Sequence, residues 1–263
     1  MLADFAIQLA CGLVCMLVVV AGPAVSAGFF RVHLLVVLGL LVLAWLIAAP
    51  GEPEHRTQGA LLLTAAALSF LASAAWLLGR PSAGRVLLAI VAIVCLLIVT
   101  LRLVNTRAFR AAAAPAQQAV VLLDGVTAAW LLGAATASML LGHWFLITPG
   151  MSLQPLRRLV LLLAAAAVVR GAVAAPDTLA WLSRSPTTAD VAPALAPPTA
   201  SAWFLALVAL RWVAGIVGPL VTGHLVWQTL KIRSTQSATG ILYVTVILVF
   251  LGEMLAKVLA TYS

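Results

Sequence analysis

Residues 86–104, VLLAIVAIVCLLIVTLRLV, decide the fold class. Their one charged side chain is Arg102, and turn formers mixed with cations flank them: GRPSAGR at 79–85 and NTRAFRAAAAPAQQ at 105–118. A helix needs about 20 mostly apolar residues to cross a hydrocarbon layer about 30 Å thick. This stretch meets that length. A membrane strand would alternate polar and apolar side chains, and no alternation is present.

The same pattern recurs along the chain. Punctuation at PGEPEHR, GRPSAGR, NTRAFRAAAAPAQQ, ITPGMSLQPLRR and KIRSTQS divides it into eight predicted helices, at 4–24, 30–49, 58–79, 86–104, 118–147, 158–175, 201–228 and 239–260. The first break, GPAVSAGFFR (22–31), is almost uncharged and reads as a turn or as a kink, two outcomes with different topologies. Composition supports the division: 64% of residues are hydrophobic, 8% are charged, and the mean hydropathy is +1.18. Too little polar surface remains to coat a soluble globule, so the expected fold is an all-α, polytopic transmembrane bundle forming a single integral membrane domain.

Asp4 stands where a signal peptide would carry positive charge, and the apolar run continues as the first span. Cys11, Cys15 and Cys95 all lie in apolar segments and read as small buried hydrophobes. His55, between Glu54 and Arg56, reads as a loop residue. Residues 176–200, with five prolines and the stretch SRSPTTAD, read as an extramembrane loop, either a docking element or a plain connector.

Eight spans place Arg31, Arg80, Arg85, Arg157, Arg158, Lys231 and Arg233 at one face, with no acids. The other face receives both termini, Arg56, Arg107, Arg110 and Arg184, together with Asp4, Glu52, Glu54, Asp177 and Asp190. The positive-inside rule makes the first face cytoplasmic and puts both termini outside, in what reads as a bacterial cytoplasmic membrane. The net charge of +8 is then a matter of topology and anionic lipid, not of nucleic acid.

Ionisable groups inside a bilayer are costly and usually face a bundle interior or a water-filled cavity. Depth bookkeeping puts Arg102, Asp124, Arg170, Arg211 and Glu253 in the outer half. Arg211 and Glu253 sit on consecutive antiparallel helices about one turn apart in depth, so a pair is expected between them. That pair reads either as a structural tie or, with Asp124, as part of a proton path or quinone-site wall.

Two Gly-His pairs occupy the opposite half, in LLGHWFLI (140–147) and VTGHLVW (221–227). His143 and His224 fall at nearly one depth, and His33 lies close to it. Bis-imidazole ligation could hold haem b iron between His143 and His224, with the preceding glycines admitting the porphyrin. A quinone could instead accept a hydrogen bond from one imidazole, in a cleft walled by Trp144 and neighbouring aromatics. The plain alternative is that both pairs serve helix packing.

The last span, ILVFLGEMLAKVL (247–259), resembles the end of the eight-helix membrane anchors of the DMSO-reductase and polysulfide-reductase type, the NrfD-like group. The likeness rests on Gly252, Glu253 and Lys257, and on a helix-ending turn at Leu78, Gly79, Pro81 and Arg85. Where that group carries a histidine before this turn, the chain has Trp76 and Leu77. The resemblance implies a quinone-interacting subunit, generally without its own haem, feeding electrons to iron–sulfur and catalytic subunits.

No Ser/His/Asp, HExxH, paired-acid or P-loop pattern is present, so a self-contained hydrolase or NTPase is not expected. The expected function is a membrane subunit of a respiratory electron-transfer complex, exchanging electrons and protons with quinone in contact with lipid and partner subunits. The alternatives are a proton-coupled transporter of a small solute and a purely structural anchor.

Overall fold

The computed structural model describes residues 1–48, 53–148, 150–183 and 202–260. They form α1 (Leu2–Val20), α2 (Ala27–Ile47), α3 (Pro53–Leu77), α4 (Pro81–Val104), a short α5 (Arg107–Ala111), α6 (Pro115–Ile147), α7 (Gln154–Ser183), α8 (Ala202–Trp212), α9 (Gly218–Lys231) and α10 (Thr235–Leu259). A π-helical turn, Val213–Val217, joins α8 to α9 into one rod. Eight of these helical rods are long and apolar enough to cross a membrane. The protein is an all-α integral membrane bundle.

The ambiguous first break is a true turn. Ala21 leaves helical geometry and Ser26 enters α2 from an extended conformation, so α1 and α2 are separate antiparallel spans. α1 runs through the middle of the bundle: 72% of its apolar window is buried, against 33% for α2, α4 and α10. It packs on α2, α4 and α6. The outward faces of the surrounding helices carry Leu46, Ile93, Ile147 and Ile247, all exposed, as a lipid-facing surface requires.

Two glycine contacts set the tightest helix crossings. A Cβ on Gly12 of α1 would run into the backbone of Ala129 on α6, and one on Gly133 of α6 into the backbone of Gly12. Gly252 of α10 meets Gly215 of the π-helical turn in the same way. Without a hydrophobic driving force between helices in lipid, such close approach supplies the packing that holds them.

Three boundaries differ from the sequence expectation. Residues 176–183, expected in the extramembrane loop, continue α7 with Pro176 inside the helix. Membrane helices tolerate such a proline because neighbours and side chains re-satisfy the freed backbone groups. The rest of the loop, 184–200, lies outside the described residues. His55 lies in the first turn of α3, not in a loop, because Pro53 opens that helix at the position where its missing N–H costs nothing. The turn at 105–114 contains α5, capped by Thr106, whose hydroxyl accepts from Phe109 N–H at 3.3 Å.

The π-helical turn was not foreseen. Gly218 N–H bonds to the carbonyl of Val213, five residues back, immediately before Pro219, which has no N–H to donate. The wider turn accommodates that missing donor, and such bulges occur frequently at functional sites.

Candidate functional site

At the end of the bundle where α1 begins and α10 finishes, charged side chains from four membrane helices converge. Arg170 of α7 is at the centre, 3% exposed. Its Nε and one terminal nitrogen donate to the two carboxylate oxygens of Glu253, at 2.8 and 3.1 Å. Its other terminal nitrogen donates to Asp124 of α6. The planar guanidinium matches a carboxylate with two parallel bonds, and a lysine could not replace it here. Arg211 of α8, 7% exposed, lines the same cavity two residues before the π-helical segment.

The sequence expectation for this cluster needs one correction. Asp124, Arg211 and Glu253 do come together, but the group that grips Glu253 through both oxygens is Arg170, not Arg211. Depth places all of these residues in one layer, while the choice of partner depends on which way each helix faces. That rotation cannot be read from depth alone.

The cluster forms the floor of a cavity of about 860 Å3. Asp124 turns its less buried side towards it, with a side-chain exposure of 41% against 4% for Glu253. Apolar walls come from Ile7, Val99, Leu103 and Val121. Two further polar residues also line it: Gln8 of α1, which the sequence did not single out, and, on α10, Lys257, named there only in the family likeness, whose ammonium donates to the Gln8 amide oxygen. A signal for Lys257 existed, because it lies one turn after Glu253 on the same face. Gln8, an uncharged polar residue in an apolar run, carried none.

The histidines lie elsewhere. His143 and His224 are both exposed on the outside of the bundle, on α6 and α9, and α10 packs against both of those helices. His143 Nδ1 is 3.4 Å from the Tyr243 hydroxyl of α10, and His224 Nε2 is 3.2 Å from the side-chain nitrogen of Gln228 on its own helix. The two rings therefore do not face one another across a shared space, and as placed they do not fit a common axial pair for haem b. The preceding glycines explain why. Gly142 packs on Thr239 and Leu242 of α10, and Gly223 faces Leu163 of α7. Each histidine, one position on, is rotated about 100° away from that contact.

His33 is 4% exposed and lies beside the His143 end of α6, near enough for the two imidazoles to interact electrostatically. Its Nδ1 donates to the Phe29 carbonyl at 2.6 Å, since a carbonyl can only accept, and its ring lies 4.1 Å from that of Phe29. Trp144 stands edge-on to His33 and donates through Nε1 to Ser26 at 2.8 Å. These residues make a packed aromatic knot at the opposite end of the bundle from the cavity. Trp76 belongs to it as well, stacked on Phe30 at 4.5 Å.

No protein-family model, curated protein or solved structure matches this chain.

Proposed function

We propose that the protein is a membrane subunit of a respiratory electron-transfer complex and that quinone enters the cavity floored by Asp124, Arg170 and Glu253. The observation that carries this reading is the cavity itself. Its volume of about 860 Å3 lies in the range of sites that take drug-sized ligands, with apolar walls and a few convergent polar groups. A quinone ring needs such walls, donors for its carbonyl oxygens, and an acid that passes protons on. The NrfD-like likeness adds support, because Gly252, Glu253 and Lys257 all belong to this end of α10. The site is therefore moved away from the histidines, and haem b has no part in it.

In this reading Arg170 is held by two carboxylates and serves as the fixed element. Asp124, the more accessible of the two acids, exchanges protons with the cavity. A short-tailed quinone at 100 times its dissociation constant should stabilise the purified protein by about 2.7 kcal/mol. Asp124→Asn keeps a side chain that can hydrogen-bond but removes the proton carrier, so it should leave quinone binding close to wild type and slow proton-coupled quinone turnover by on the order of 100-fold. Absence of any stabilisation at saturating quinone would remove the reading.

A second reading, proton-coupled movement of a small solute, is favoured by the π-helical turn beside Arg211. Broken helices at a buried charge are what transporters use to line a path. Uptake of protons by proteoliposomes without any added quinone would favour it.

The orientation belongs to the same proposal, with the basic end in the cytoplasm. A membrane-impermeant maleimide applied to intact cells should label Ala113→Cys and spare Ser234→Cys. The reverse pattern would invert the topology.

A further inference from the structure

We propose that the α1 wall of the cavity is a separate subsite for an acidic oxyanion head, carboxylate or phosphate ester, borne on an apolar body. Asp4 and Gln8 lie one turn apart on the same face of α1, and each holds a cation in the cavity wall. Arg102 of α4 donates to Asp4 at 3.1 Å, and Lys257 of α10 donates to Gln8. The Gln8 amide nitrogen donates to the Gly125 carbonyl at 3.4 Å, which orients its oxygen towards Lys257.

Both cations have donors to spare. Arg102 Nε is buried and has no hydrogen-bond partner, although a guanidinium carries five N–H groups. The hydrogen-bond partner of Lys257 is a neutral amide, inside a membrane-spanning helix where a lysine ordinarily reaches for the interface. Of the nearby acids, Asp124 and Glu253 share the single guanidinium of Arg170 and leave one negative charge over. Asp4 is shared between Arg102 and the N-terminal ammonium, 3.2 Å away, and also faces Lys257, so the wall itself keeps an excess of positive charge.

An oxyanion between Arg102 and Lys257 would accept from the terminal N–H groups of Arg102 and from the Lys257 ammonium, and neutralise the excess. Ile7, Val99 and Leu103, which line the same cavity, would cover its apolar body. A neutral quinone does not supply the negative charge this wall lacks. The subsite is therefore independent of whether quinone binds the Arg170 floor.

The test uses the full chain in nanodiscs of zwitterionic lipid, with oleate, methyl oleate and a lysophosphatidate as probes. Oleate should bind saturably and on the order of tenfold more tightly than its methyl ester, since only the acid offers charge-assisted acceptors. The Arg102→Gln, Lys257→Gln double variant should bring oleate down to the affinity of the ester and leave the ester unchanged. Lysophosphatidate displacing oleate more effectively than unlabelled oleate does would identify a phosphate ester head, and the opposite order a carboxylate. Equal binding of acid and ester by the wild-type protein would overturn the proposal, and this comparison stands even if the double variant does not fold. So would full oleate affinity in a folded double variant, or displacement of oleate by inorganic phosphate at equal concentration.

Discussion

Arg170→Met will destabilise the bundle more than any other single change in the charged cluster, by about 3–5 kcal/mol, the usual cost of leaving buried charges uncompensated. The reason is geometric. One guanidinium serves both oxygens of Glu253 and one of Asp124, so its removal strands the buried Glu253 carboxylate and leaves the half-exposed Asp124 without its partner. Adding Glu253→Gln and Asp124→Asn to Arg170→Met should recover much of the loss, because the stranded charges go with them. Unfolding of the purified variants in mixed micelles measures both effects. A single Arg170→Met variant as stable as wild type would mean that the cluster is hydrated and its ion pairs are weak.

Gly12→Leu is the second large effect, and it acts through packing alone. A side chain at Gly12 meets the backbone of Ala129 and the amide of Gly133. Neither can move without parting α1 from α6. Overpacking commonly costs 1–3 kcal/mol and occasionally more, and with backbone as the obstacle a loss of about 3 kcal/mol or more is expected. Gly39→Ala and Gly240→Ala are the controls. A Cβ at either meets nothing within 4 Å, so both should gain up to about 1 kcal/mol from helix propensity. Equal losses at Gly12 and Gly39 would show that the α1–α6 crossing is not what orders the bundle.

The spans were legible because apolar length is a one-dimensional property. The stretch at 86–104 needs no knowledge of its neighbours to be read as a membrane helix, and α4 spans it. Depth is nearly as accessible, and it puts Arg102, Asp124, Arg170, Arg211 and Glu253 together in one half of the bilayer. Helix rotation is not one-dimensional. It made Arg170 the partner of Glu253 in place of Arg211. It also turned His143 and His224 outward while their glycines took the packing contacts. The π-helical turn at Val213–Val217 left only Gly215, Gly218 and Pro219 as traces, and these residues are common in membrane helices for other reasons. Pro176 misled in the opposite direction, since a proline that would end a soluble helix is carried inside α7.

Quinone in the cavity at the Arg170 end, and not at the histidines, is the central claim. Photolabelling with an azidoquinone in native-like membranes, followed by mapping of the modified peptides, tests it most directly. The account predicts modification of the cavity-lining starts of α1 and α6, around Ile7 and Val121, suppressed by excess unlabelled quinone. Label concentrated instead on the Gly142–Phe145 or Gly223–Trp227 segments, with the cavity walls unmodified, would contradict it.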